Sequence, residues 1–278
     1  YRGRLWTFRQ YAGFGNVQLS ADYRRAVVGV GAANDKLWLV DLDQVNVSRL
    51  TSGPGNDGVG VLTPDGRWLL FTSDRAGGGY RFYRMPLDGK TSPEPLLEGE
   101  GSIDSISYPA RMLGITLASE RDRSDAYVMA VSDDGAPAGK LILVAGGPFN
   151  QFEPAASPDG ALVAYTSSES GRPEVYVVRL AEPGSRRRLT RDGGGSARWN
   201  REGNRLFYAA GDALYSVVLS SASDLRFGDP QRVAVSKNFG VIISYDFAPD
   251  GASVLLLRSD AQLQLRGEIR LWTDWERP

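Results

Sequence analysis

The chain has 278 residues and a mass of 30.2 kDa, with 42% hydrophobic and 23% charged residues, the balance of a soluble globular protein. Its formal net charge of −1 leaves no basic excess to draw nucleic acid or anionic lipid. Cysteine and histidine are both absent, which excludes disulfides, thiol nucleophiles, Cys/His zinc sites and any histidine base.

The first predicted element is a surplus strand, Arg4–Phe8. Asn16–Leu19 then opens a unit that continues through the turn Ser20-Ala21-Asp22-Tyr23 and the apolar runs Lys36–Val40 and Ser48–Thr51. The second unit holds Thr63-Pro64-Asp65-Gly66, then Arg67–Ser73, Tyr80–Met85 and Pro95–Leu97, with a Gly-rich hairpin tip at Asp74–Gly79. In the third, Ser107-Tyr108-Pro109-Ala110 has lost the Asp and Gly of the turn, so a rebuilt turn is expected before Met112–Leu117; Ala126–Ala130 and Leu141–Val144 follow. The fourth holds Ser157-Pro158-Asp159-Gly160, Ala161–Ser167, Glu174–Val178 and Arg187–Thr190. The fifth holds Asn200-Arg201-Glu202-Gly203, Ala213–Val218 and Gln231–Ala234. The sixth holds Ser244–Phe247, Ala248-Pro249-Asp250-Gly251, Val254–Leu257 and Glu268–Trp272.

The repeated turn has a mechanism. Pro sets φ for the first turn position, Asp caps the local backbone and Gly supplies positive φ. The acidic positions 22, 65, 159, 202 and 250, with Pro109 in the gap, recur about every 46 residues, and a chain of 278 holds about six such units. Four short strands per unit at this period read as propeller blades. The fold class is therefore all-β: a six-bladed β-propeller of four-stranded antiparallel blades. The whole chain, 1–278, is one domain with blades at 11–52, 53–98, 99–147, 148–192, 193–237 and 238–278. The last unit lacks a fourth strand, and the surplus strand at 3–8 is expected to complete it and close the ring, removing open edges. Two packed β-sandwiches are the competing architecture. The chain begins at Tyr1 and is expected to be a piece of something longer; no apolar run has the length of a membrane-spanning helix.

Thr63–Arg75 and Ser157–Val177 resemble the propeller repeats of the TolB-like family. A closer resemblance is to the extracytoplasmic propellers of bacterial receptor-type serine/threonine kinases. It is carried by Ser167–Val177, Gly194–Trp199, Asn204–Tyr208 and Ile269–Trp275. The resemblance implies a periplasmic or extracytoplasmic binding module: a scaffold subunit of an envelope assembly, or the sensor domain of a membrane-anchored protein. Its implied partner is a protein, including a membrane protein or envelope complex, and not nucleic acid. The absence of cysteine is compatible with an oxidising compartment.

No catalytic residue, metal site or cofactor is assigned. Gly194–Arg198 is not a G-x-S-x-G elbow. The acidic pairs Asp41/Asp43, Asp122/Asp125 and Asp133/Asp134 match no EF-hand spacing and read as hairpin turns. Arg186–Arg188 reads as charge protecting an outer strand. The candidate ligand site is the mouth of the propeller, ringed by the residues that open each innermost strand. These are Asn16, Asp57, Asp104, Gln151, Glu153, Arg198, Tyr245 and Asp246, with Gln18, Asn56, Ser102 and Ser196 beside them. The set is polar with an acidic tilt, suited to a peptide, a cationic group or water. Trp272, Trp275, Tyr11 and Phe14 are expected to pack the closing blade. Two enzymatic readings stand as alternatives: the gating propeller of a prolyl-oligopeptidase-like peptidase, and a polysaccharide-active propeller using carboxylates at the mouth.

Overall fold

The repeated turns fold as their chemistry dictates. Ser20, Thr63 and Ser157 each donate a hydroxyl hydrogen bond to the Asp two residues on, at 2.5–2.6 Å. That Asp accepts the N–H of Arg24, Arg67 or Ala161. Position four of the turn takes positive φ: 66° at Gly66, 74° at Gly160 and 70° at Gly203. Tyr23 (57°) and Arg111 (52°) adopt the same conformation without glycine, Arg111 in the rebuilt third turn.

The computed structural model describes residues 2–8, 14–30, 35–44, 46–120, 122–235, 241–247, 254–259 and 267–273. The strands are β1 (Arg2–Phe8), β2 (Phe14–Leu19), β3 (Arg25–Val30), β4 (Lys36–Asp41), β5 (Asn46–Arg49), β6 (Asp57–Leu62), β7 (Trp68–Ser73), β8 (Arg81–Pro86) and β9 (Glu94–Leu97). There follow β10 (Gly101–Ser107), β11 (Met112–Ser119), β12 (Arg123–Ala130), β13 (Ile142–Ala145), β14 (Gln151–Ala156), β15 (Leu162–Ser167), β16 (Glu174–Arg179) and β17 (Glu182–Arg188). The last are β18 (Gly195–Trp199), β19 (Arg205–Ala210), β20 (Ala213–Ser221), β21 (Arg226–Phe227), β22 (Gln231–Val235), β23 (Val241–Phe247), β24 (Val254–Ser259) and β25 (Gly267–Thr273).

These form an all-β propeller of antiparallel blades. Five sheets have four strands: β2–β5, β6–β9, β10–β13, β14–β17 and β1-β25-β24-β23. The sheet β18–β22 departs from the expected four. β20 is nine residues long, and its far end pairs with the two-residue β21 while its near end pairs with β22. The surplus N-terminal strand does pair with the last repeat, β1 running antiparallel to β25 from Arg2↔Thr273 to Phe8↔Gly267. The turn copy at Ala248–Gly251, with Tyr11 and Trp275, lies outside the described residues.

The chain divides into two compact units, residues 1–98 with 236–278, and residues 99–235. In the first, Val27, Leu37, Leu62, Leu69, Phe71, Tyr83 and Met85 form a core between two adjacent blades. Val17, Leu19, Val28, Val40 and Leu255 form another. In the second unit, Val128, Val163, Tyr165 and Tyr176 fill one blade interface, and Val177, Leu206, Tyr208 and Val217 fill the next. Each such large side chain contributes about 1.5–3 kcal/mol on burial.

Candidate functional site

One edge strand of each sheet, β2, β6, β10, β14, β18 or β23, carries a register break: Phe14/Val17, Asp57/Gly60, Ile103/Ser105, Phe152/Ala155, Gly195/Arg198 and Ile242/Ser244. A bulge re-aims side chains at the point where pairing slips. Asn16, Asp104, Glu153 and Ser196 sit inside these bulges, and Glu153 and Ser196 take positive φ of 55° and 54° there. One repeated backbone device thus sets the local conformation of these four residues.

In the first unit Asp57 is buried completely between two cations. Its Oδ1 meets Arg75 Nη2 at 2.8 Å and its Oδ2 meets Lys36 Nζ at 3.3 Å. Lys36 also donates to the Gly55 carbonyl, and Arg75 lies 5.0 Å over the Phe71 ring and 5.2 Å over Tyr83. Asp57 is a structural ion-pair centre, and Arg75 anchors the start of the Gly-rich tip Asp74–Gly79 to it. Asp74 is held below the usual carboxylate range by the backbone N–H and side-chain amide of Asn56. Asp246 Oδ2 accepts the Leu19 N–H at 2.7 Å and Ser244 Oγ accepts that of Val17 at 3.1 Å, which straps β23 to β2. Tyr245 is buried and meets Phe247 edge-on at 5.4 Å. Asn16 is half-buried, and its Oδ1 is enclosed.

In the second unit the polar residues form a chain across three blades. Ser102 and Thr116 donate to Asp104 at 2.7 and 2.5 Å. Thr116 Oγ1 accepts the Glu153 N–H at 3.1 Å. The Glu153 carboxylate accepts Thr166 Oγ1 at 3.1 Å and both Ser196 N and Oγ, at 2.7 and 2.8 Å. Arg198 donates to the Asp104 and Ala197 carbonyls. Burial pushes Asp104 up to about 7 against the hydroxyls of Thr116 and Ser102, and the nearby Glu153 charge adds to the rise. Asp104, Glu153, Ser196 and Arg198 are therefore brought together, while Gln151 is buried apart from this chain. Sequence reading missed Lys36, Arg75 and Thr116. A lysine opening the buried run Leu37–Val40, one of only 4 in the chain, was the available signal for the first.

No family model matches the chain. An uncharacterized protein of Agrobacterium fabrum, Atu1656, is 29% identical over 141 residues, 46% of each chain. The Tol-Pal system protein TolB of Bordetella pertussis is 50% identical over 44 residues, 16% of this chain and 10% of that protein. The chain thus matches about half the length of the first relative and a tenth of the second. Among solved structures, TolB from Acinetobacter baumannii superimposes with a TM-score of 0.63 at 17% identity, over 91% of this chain and 62% of that one. The fold is equally that of enzymes. An oligogalacturonate lyase solved with manganese gives 0.58 at 16% identity, over 99% and 97% of the two chains. A prolyl endopeptidase gives 0.56 at 13%, over 96% and 43%. The protein is a β-propeller with TolB-like neighbours.

Proposed function

We propose that this protein is a non-catalytic binding propeller, its blades closed into one six-bladed ring, that serves as an interaction scaffold outside the bacterial cytoplasm. The observation that carries the reading is the use of the carboxylates. Asp57, Asp104, Glu153 and Asp246 are spent on Lys36 and Arg75, on hydroxyls, and on backbone N–H groups of neighbouring strands. Such struts stiffen the face from which loops meet a partner, and rigidity lowers the entropic cost of binding. The likeness to TolB, named for the Tol-Pal system, supports an envelope assembly as the setting. A sensor domain of a membrane-anchored receptor kinase is the same reading with the anchor in the same chain. Among the described residues no helix is long and apolar enough to cross a membrane.

The enzymatic alternative draws on the lyase and endopeptidase likeness. The test is reversible cross-linking of the tagged native gene product in its own cells, followed by fractionation and mass spectrometry. A stoichiometric envelope partner is the expected result. Turnover of a polysaccharide or peptide by the purified chain, abolished by Asp104→Asn or Glu153→Gln, would overturn the reading.

A further inference from the structure

Residues 135–152 carry one charge, Lys140, and no acid. The stretch includes the outer strand of blade three (β10–β13), where Leu141, Ile142 and Leu143 are exposed at and just before β13. β13 pairs with β12 on one side, and no strand lies along its other side among the described residues. The unpaired backbone groups of such an edge are a template for a further strand.

The register tells which way these side chains face. Ile142 pairs with Val128, and Val128 packs with Val163, Tyr165 and Tyr176 of blade four (β14–β17). Directly opposed residues share a face of the sheet, so Ile142 looks toward blade four. There it lines a groove of about 510 Å³ with Ala161, Leu162, Leu180, Ala181 and Ala222. The alanines leave space for an incoming apolar side chain. Arg188 pairs with Tyr176 and faces the same gap from the blade-four side.

The charges around the gap are unevenly matched. Arg186 meets Glu169 at 2.8 Å, and Arg179, at the wall of the groove, meets Glu182 at 2.8 Å. Asp159, beside Gly160 of the groove, is held by the Ser157 hydroxyl and the Ala161 N–H. Arg188 and Lys140 are both exposed, and neither has a carboxylate partner among the described residues. The patch is an apolar strand edge flanked by unmatched positive charge.

Three kinds of occupant suit an apolar edge, and the backbone and the charges choose among them. A lipid surface would meet the aliphatic side chains and the cations, yet it would leave the edge's N–H and C=O groups unpaired in an apolar medium, which is costly. A second copy of β13 would pair those groups, yet it brings another Lys140 and no acid. A strand with apolar residues between acidic ones satisfies the backbone, the groove and the cations together.

We propose that the outer edge of β13 takes up an extended segment of a partner protein as an added strand. The segment is apolar where it lies beside Ile142 and the groove, and acidic where it meets Lys140 and Arg188. This deepens the reading of the chain as an interaction scaffold and rests on it for a protein partner.

The test uses the purified full chain and a labelled synthetic peptide, Glu-Glu-Val-Leu-Val-Leu-Thr-Glu-Glu, followed by fluorescence anisotropy. Two control peptides accompany it. One has Lys in place of every Glu; the other has every backbone nitrogen of the apolar stretch methylated, which removes the strand's donors and keeps its side chains. The acidic peptide should bind saturably and about tenfold more tightly than the Lys form at low salt. The methylated form should not bind, and bound acidic peptide should slow amide exchange in β13. Ile142→Lys should abolish binding. Arg188→Glu should turn the preference toward the Lys peptide, a change that a merely misfolded variant cannot produce. Absent binding, equal binding of the two charge forms, or binding indifferent to methylation overturns the proposal. Binding to phosphatidylglycerol vesicles that Ile142→Lys removes, with no peptide bound, assigns the patch to lipid and overturns it. A dimer in sedimentation that Ile142→Lys dissociates assigns the edge to a second copy and also overturns it. None of these failures touches an envelope partner found by cross-linking in cells, which can dock elsewhere on the chain.

Discussion

The Lys36 ammonium stands 3.3 Å from Asp57 Oδ2 in a setting where the lysine side chain is 5% exposed and the aspartate not at all. The pair ties β4 of one blade to β6 of the next. Removing one member leaves an uncompensated buried charge, so Asp57→Ala should lose about 3–5 kcal/mol in urea unfolding. The double change Lys36→Met with Asp57→Leu should cost less than the sum of the two single changes. Strict additivity in that cycle would refute the coupling.

Asp104 ties stability to pH. Its carboxyl is raised to about 7 in the folded protein from an ordinary 3.8, mainly by burial. The folded state then holds a proton that the unfolded state has released. The contribution is complete below the unfolded pKa and is lost as pH rises through the folded value. Between about pH 4 and pH 7 it amounts to roughly 4 kcal/mol at most, from 1.36 kcal/mol per pH unit. Asp104→Asn, which cannot ionise, should raise Tm relative to the native chain at pH 8 and leave it unchanged near pH 4. A Tm difference that does not vary with pH would contradict this assignment.

Gly114 in β11 has no space for a side chain. A Cβ built there would lie 1.8 Å from the Pro154 carbonyl oxygen and 2.5 Å from Ser105 Oγ, which itself donates to that carbonyl at 2.7 Å. Gly114→Ala must push β14 away from β11, at a cost of about 1–3 kcal/mol or more. Urea denaturation should show a lower midpoint, and amide exchange should speed up in both strands. An unchanged midpoint would mean that the interface yields freely.

The blade pattern was legible because it is local. A Ser or Thr, a Pro, an Asp and a Gly between two apolar runs define a hairpin without reference to the rest of the chain, and the structure places those residues in the bonds that their chemistry predicts. Tyr23 and Arg111 keep the conformation after the glycine is gone, so the third turn reads as weaker than it is. The candidate residues were legible as positions: Asp104, Glu153 and Arg198 do meet in one network. What they bind to was not legible, because their partners come from other blades. Thr116 lies 37 residues from Glu153, and Ser196 lies 43 residues from it. Asp57 resembles a ligand-facing acid in sequence, and it is neutralised by Lys36, 21 residues earlier, through a pairing set by blade stacking. The five-stranded sheet escaped notice because β21 is two residues long.

The outer edge of β13 differs from its counterparts. Leu141, Ile142 and Leu143, at and just before the strand, are 36%, 41% and 49% exposed. Three other outer strands carry polar residues or breakers: Asn46, Ser48 and Arg49 in β5, Glu94 and Pro95 in β9, and Pro183 with three arginines in β17. β13 pairs with β12 on one side and presents an apolar row along the other. An edge of this kind invites another strand, and a single lysine is the usual guard. Ile142→Lys should therefore slow heat-induced light scattering several-fold. Tm should move little, since an exposed substitution away from the core stays within about 0.5 kcal/mol. The matched control is Val218→Lys, which alters an equally exposed apolar residue (42%) on β20, whose flanks are already paired. Equal slowing by both variants would show that added charge, and not the β13 edge, governs aggregation.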